Sequence, residues 1–269
     1  MTPDMLPNQL EGEKRTLSVI MPAFNEEATI ADIISRVLNL DGLLELIVVN
    51  DCSSDRTGEI VDRLAAENPL IRYQKLPANM GKTAALKAGI ASSQGEIVII
   101  QDADLEYDPS EIPEVIAPIR ENRADVVYGS RFMVKRATRV LYFWHYVSNK
   151  GLTFVSNCFT NLNMSDIETC YKAFRGEIIR NMVISSTGFG FEVEVTAKVA
   201  KLGCAVYEVP ISYYGRTYEE GKKIGFKDGL AAGWYIVKYN AFVPLSRSFR
   251  SQPKLLTSPR NHSALSQNE

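Results

Sequence analysis

Histidine is nearly missing from this chain: His145 and His262 are the two present in 269 residues. Neither follows an apolar run into a loop, so chemistry built on an imidazole base is not expected. Cysteine is scarce too. Cys52, Cys158, Cys170 and Cys204 form no C-x-x-C pair, which argues against a zinc site or a disulfide framework and suits four reduced thiols. No uninterrupted apolar stretch approaches the roughly 20 residues of a spanning helix. The polar start MTPDMLPNQLEGEKRT has no apolar signal segment either. Excess charge is also absent, since 30 Lys plus Arg face 32 Asp plus Glu. No global field recruits nucleic acid. What is there is a composition of 45% apolar and 23% charged residues, which fits a globular protein with a full core.

From Leu17 onward, short apolar runs alternate with amphipathic stretches. LSVIMP (17–22) reads as a buried strand, and 26–38 as a helix with Ile30, Ile33, Ile34 and Val37 on one face. Strands are expected at 45–50, 71–76, 96–101 and 125–130. Helices are expected after Ser54 or Asp55, at 80–92 and near 111–120. Such alternation needs crossover connections, hence an α/β fold with a mostly parallel sheet and helices on both faces. Ligands then bind beyond the carboxyl ends of the strands. In the second half, helices are expected at 139–162, 191–202 and 224–242, with a strand pair at 206–214. Residues 1–16 read as a flexible start, 17–245 as the domain, and the serine-rich 246–269 as a disordered tail. Nothing in the pattern sets an oligomeric state.

Three loops at strand ends carry the polar residues of interest. QDADLE (101–106) puts Asp102, Asp104 and Glu106 at alternating positions, which share a side in an extended segment. Three converging carboxylates repel unless a cation lies between them, and hard oxygen ligands favour Mg²⁺ or Mn²⁺; the plain alternative is a solvated acidic turn. In NDCSSDRTGEI (50–60), Asp51 either accepts hydrogen bonds from a nucleoside or caps the next helix. LPANMGKT (76–83) matches the end of a phosphate loop, but Leu76 stands where the first glycine belongs. An ATPase reading therefore fails, although Gly81 and Lys82 at a helix start can still face a diphosphate.

Taken with PAFNEE (22–27), these loops resemble the family 2 inverting glycosyltransferases, with their GT-A nucleotide-sugar fold. SDIETCYKAFR (165–175), GFGFEVEV (188–195) and EVPISYYGRTYEEGKK (208–223) resemble the branch acting on dolichyl and bacterial polyprenyl phosphates. The likeness runs from about Leu17 to Gly229. It implies that Pro22, Asn25, Glu26 and Asp51 hold the nucleoside of a nucleotide-diphosphate sugar, with Gly81, Lys82 and Asp102 beside them. It also implies that Asp102, Asp104 and Glu106 bind Mg²⁺ or Mn²⁺, and that Asp166 lies at the donor sugar. Arg131, Arg216, Lys222 and Lys223 match basic positions near the phosphates, with Asp104, Asp166, Arg131 and Arg216 as the catalytic set. Lys172 stands where Arg is frequent in that branch, and Cys52 reads as a tolerated small residue.

An anionic lipid-phosphate acceptor needs cations and no general base. From Val126 to Ser165 there is no Asp or Glu, while Arg131, Lys135, Arg136, Arg139 and Lys150 occur beside Tyr142, Phe143, Trp144 and Tyr146. A basic, aromatic helix of that kind suits a headgroup interface; it equally suits a helix covering the sheet. The expectation is a hexose transferase at the cytoplasmic face of a membrane, peripherally bound, with a polyprenyl phosphate acceptor. Two alternatives stay open. One is a family 2 transferase with a soluble or glycan hydroxyl acceptor, where Asp166 would act as base. The other is a nucleotide-sugar binder without turnover.

Overall fold

The computed structural model describes residues 15–133, 142–216 and 226–256. Seven strands form one sheet: β1 (Leu17–Ala23), β2 (Leu43–Asn50), β3 (Ile71–Lys75), β4 (Ile97–Ile100), β5 (Val126–Ser130), β6 (Lys172–Arg175) and β7 (Val206–Pro210). Their spatial order is β3-β2-β1-β4-β6-β5-β7. All neighbours run parallel except β6, which is antiparallel to both β4 and β5. The strands near the centre are buried on both faces: Val19, Ile20, Ile47, Val48, Val98 and Ile99 have no exposed surface. Such continuous apolar runs are what a sheet covered by helices on both sides requires.

The covering helices are α1 (Ile30–Leu38), α2 (Thr57–Glu67), α3 (Lys82–Ser92), α4 (Ile112–Arg120), α5 (Phe143–Thr160), α6 (Gly176–Asn181), α7 (Phe191–Leu202) and α8 (Phe226–Val237). Helix α1 starts at Ile30, later than the pattern suggests, because 24–29 form a turn bonded to the 53–57 loop. Its buried face is Ile30, Ile33, Ile34 and Val37, as the spacing predicts. Helix α3 lies so close to the sheet that a methyl group on Gly89 would come within 2.5 Å of Ile20 Cγ2. Helices α7 and α8 pack together and α5 rests on both.

Three expectations need correction. The stretch 206–214 is one strand, not a pair: beyond Pro210 the backbone leaves the sheet, because Ser212 N donates to Glu111 Oε2 and Tyr214 N to Glu106 O. Strand β6 and helix α6 were not expected at all. KAFR is too short to show a period, and its alternation is masked by a lysine that is itself fully buried. Finally, residues 246–256 are packed rather than tail-like. Phe249 forms a bridge with Met182, Arg250 N donates to Asn181 O, and Leu256 N to Asp125 Oδ1. Backbone pairing holds a segment whose composition alone promises little.

The outer surface of α5 and α8 is unusually apolar. Phe143, Trp144, Tyr146, Phe154 and Phe159 on α5 are exposed, as are Leu230 and Trp234 on α8. Trp144 is 77% and Trp234 60% accessible, so the basic aromatic helix is not simply a cover for the sheet. Its cationic approach at Lys135, Arg136 and Arg139 lies outside the described residues.

Candidate active site at the carboxyl ends of the strands

The loops after β1 and β2 are laced to each other. Asn25 adopts a left-handed φ of 53°, which lets its Oδ1 accept from Ser54 N at 2.9 Å while its own N–H reaches Ser53 Oγ. Glu26 N donates to Thr57 Oγ1, and Glu27 N to Asp55 Oδ2. Asn25, Glu26, Asp55 and Arg216 line a depression of about 420 Å³ at this corner. Pro22 is half-buried inside β1, one residue before its end. Cys52 also takes a positive φ, of 58°. The constraint there is therefore backbone conformation, which glycine and asparagine adopt readily, rather than side-chain size.

Asp51 is almost fully buried, and its two oxygens accept from Met80 N at 2.7 Å and Gly81 N at 2.8 Å. Its partners lie in the turn before α3, not at the start of the α2 that follows it in sequence. The same bond uses the Gly81 amide that the sequence offers to a diphosphate. Gly81 itself sits at φ 85°, where a side chain is strained. Asp51 thus holds the 80–81 turn in place, and that turn delivers Lys82.

Lys82 Nζ lies 2.9 Å from Asp102 Oδ2 and 3.6 Å from Glu192 Oε1. Burial pushes this ammonium down, yet Asp102, Cys170 and Glu192 together raise it well above its ordinary value. It therefore stays charged between two carboxylates. Asp104 is in the opposite position: burial first, then the charges of Asp102 and Glu106, push its carboxyl up to about 7. Glu106 is committed elsewhere, accepting from Tyr213 OH at 3.0 Å and Arg216 N at 2.7 Å. Arg216 pairs with Glu26 at 2.9 Å and donates to Asp104 O. The strap 211–216 is thereby fastened across the acidic loop.

Asp166 has no exposed surface. Arg131 grips it with Nε at 2.7 Å, Nη2 at 2.8 Å and its backbone N at 3.1 Å. Burial alone would push that carboxyl up, but the bidentate guanidinium holds it below the usual carboxylate range. Glu208 Oε1 accepts from Ser165 N and Asp166 N and pins the same loop from below. Lys172, at a position where the resemblance expects Arg, is fully buried. Its ammonium donates to Ile167 O and Thr169 O and lies 5.0 Å over the Tyr128 ring. It supports the loop from inside.

The fold thus joins the expected residues into three contacts: Lys82 with Asp102, Arg216 with Glu26 and the 104–106 loop, and Arg131 with Asp166. Lys222 and Lys223 lie outside the described residues. Among the described residues no three His, Cys, Asp or Glu side chains gather as a ready metal cluster; the committed Glu106 leaves Asp102 and Asp104. Sequence reasoning missed Glu192. The motif around it, GFGFEVEV, is visible, but only the tertiary fold, in which Thr83 N and Oγ1 both donate to Gly188 O, brings that carboxylate to Lys82.

An open, mostly parallel α/β sheet with a half-buried lysine–aspartate pair and an acidic turn at its carboxyl edge is the architecture of a GT-A type fold. The chain belongs to glycosyl transferase family 2, whose sequence model matches residues 18–183. It is 30% identical to an undecaprenyl-phosphate mannosyltransferase of Micrococcus luteus over 240 residues, covering 82% of this chain and 96% of that protein. A dolichol-phosphate mannosyltransferase of Pyrococcus furiosus is 29% identical, with 78% of this chain matching 59% of that longer protein. Among solved structures, glucosyl-3-phosphoglycerate synthase from Mycobacterium tuberculosis, in complex with Mn²⁺, UDP and phosphoglyceric acid, superposes with a TM-score of 0.66. That match covers 84% of this chain and 79% of the other at 22% identity, and it establishes the shared fold.

Proposed function

We propose that this protein transfers a hexose, with inversion, from a nucleotide-diphosphate sugar to a polyprenyl phosphate at the cytoplasmic face of a membrane. The observation that carries the reading is the match over nearly the whole length of a polyprenyl-phosphate mannosyltransferase. The aromatic surface of α5 and α8 supports peripheral contact with lipid. Among the described residues no helix is long and apolar enough to cross a membrane.

Asn25, Glu26 and Asp55 at the β1–β2 corner receive the nucleoside, and Lys82 directs its charge toward the diphosphate. A divalent cation fits the donor set that remains. Asp102 and Asp104 are hard oxygen ligands, and the crowding that pushes Asp104 up to about 7 is relieved by added positive charge. When bound there, Mg²⁺ or Mn²⁺ offsets the negative charge of the departing nucleotide. Two carboxylates with the substrate's phosphate oxygens are the ligand set Mg²⁺ ordinarily takes.

Inversion requires attack from the face opposite the leaving nucleotide. A lipid phosphate arrives already anionic, so the protein has to overcome repulsion rather than remove a proton. Arg216, held at the rim by Glu26, and the Lys222–Lys223 pair are the cations available for this. Asp166 is a poor base: both its oxygens are engaged by Arg131, and its proton affinity is depressed. That weighs against the hydroxyl-acceptor reading. Incubation of purified protein with membranes, Mg²⁺ and radiolabelled UDP-glucose or GDP-mannose is the test. Label in the organic phase is expected; label that stays aqueous in a new glycoside would favour a soluble acceptor.

A further inference from the structure

A second cavity opens between α3 and the segment that follows α6, and it encloses about 340 Å³. That is the small end of the range for pockets that hold small molecules. Its floor is apolar, formed by the buried side chains of Ile90, Met182 and Ile184, and its rim carries Lys87, Arg180 and Arg250. Among the described residues no carboxylate lines it. Its α3 wall, from Lys87 to Ala91, lies about 8–14 Å along the helix axis from Lys82. The cavity shares no residue with the depression at Asn25, Glu26 and Arg216.

Both flanks of the opening are pinned. Met182 forms a bridge with Phe249, Val183 N donates to Ser248 O at 2.9 Å, and Arg250 N donates to Asn181 O at 2.8 Å. This pairing sets Arg250 at the rim. Arg180 Nη1 donates to Gly95 O at 2.9 Å. Gly176 leaves room for that guanidinium, since a methyl group there would come within 2.5 Å of Nη1 and 2.7 Å of Nη2. A cavity already in shape loses little freedom when it is filled.

The three cations lack close counter-charges. Among the described residues, the side chains of Lys87 and Arg250 make no ion pair or hydrogen bond, and Arg180 bonds a neutral carbonyl. Burial pushes the Arg180 guanidinium down, and the charges of Glu45 and Glu177 only partly offset that. Both carboxylates are engaged elsewhere: Glu45 accepts from Arg72 and Ser18, and Glu177 accepts from Lys254 N.

We propose that this cavity binds a phosphate monoester carrying a short apolar group, with the phosphate among Lys87, Arg180 and Arg250 and the apolar body on Ile90, Met182 and Ile184. Two arginine forks suit paired phosphate oxygens. A monoester is close to doubly charged at neutral pH, which matches three cations better than a carboxylate does. The same chemistry is offered by a small soluble ester and by the head of a lipid. The assignment is independent of the glycosyl-transfer reading.

The test is calorimetric titration of the full-length protein with monobutyl phosphate. Saturable binding is expected, at least about tenfold tighter than that of inorganic phosphate, because the butyl group leaves water. Arg250→Ala and Lys87→Ala should each weaken it about tenfold without a change in Tm. Ala91→Phe, which fills the opening and removes no charge, should abolish it, while Arg216→Ala at the other depression should leave it unchanged. Vesicles containing phosphatidic acid decide the source. Capture that monobutyl phosphate competes away and that Arg250→Ala weakens makes the ligand a lipid head; binding of the ester without such capture makes it soluble. Absence of saturable binding, equal affinity for inorganic phosphate, or a loss caused by Arg216→Ala and not by Arg250→Ala overturns the site.

Discussion

Asp166→Asn separates a positioning clamp from a catalytic base. The substitution keeps the shape of the side chain but removes its charge, so Arg131, whose own side chain is 11% exposed, loses its counter-ion. Breaking a buried pair from one side costs about 3–5 kcal/mol. That is a large share of the roughly 5–15 kcal/mol by which a domain is stable, and it corresponds to a fall in Tm of about 6–20 °C for a chain of this size. The pH dependence has a definite sign. The folded carboxyl lies below its ordinary range, so its contribution is complete above the unfolded value of about 3.9 and is lost as pH falls through the lower folded value. The gap between wild type and variant, followed by calorimetry, should therefore be constant from about pH 5 to 8 and narrow only in stronger acid. Transfer should fall through misplacement of the sugar, while the acidic limb of the pH–rate profile persists. Replacing both partners, as Asp166→Asn with Arg131→Gln, should recover part of the lost stability. A variant that melts within about 2 °C of wild type and yet loses that acidic limb would refute this reasoning and make Asp166 the base.

Three further outcomes can be checked with simple variants. Asp104→Ala should reduce transfer by more than about a hundredfold while Tm holds or rises, because it removes a carboxyl already repelled by Asp102 and Glu106; metal-dependent activity at wild-type level would contradict the assignment. Lys198→Ala should lower stability by about 3–5 kcal/mol in a denaturant titration, since it strands the buried Glu194 carboxylate, which otherwise accepts from the lysine and from Ser185 and Ser186. Trp144→Ala combined with Trp234→Ala should weaken flotation with anionic vesicles and leave Tm nearly unchanged, as both rings are mostly exposed; undiminished flotation would remove the aromatic surface from the lipid contact.

The sequence by itself determined the parallel β1–β4 half and its helices, because a strand buried on both faces must be an unbroken apolar run and an amphipathic helix must repeat near 3.6 residues. LSVIMP and the Ile30–Val37 face are legible for that reason. It also singled out the loops PAFNEE, NDCSSDRTGEI and QDADLE, each of which stands at the carboxyl end of a strand. The partners within those loops were decided only by the tertiary structure. Asp51 binds the turn before α3, 29 residues away, and not the neighbouring helix; Asp166 is consumed by Arg131, 35 residues earlier. The sequence lists these side chains as available ligands, but each is satisfied by a distant group that only the assembled sheet brings within reach. Strand β6 belongs with them: four residues with a buried lysine carry no period, and the strand exists because β4 and β5 present free edges on both sides of it.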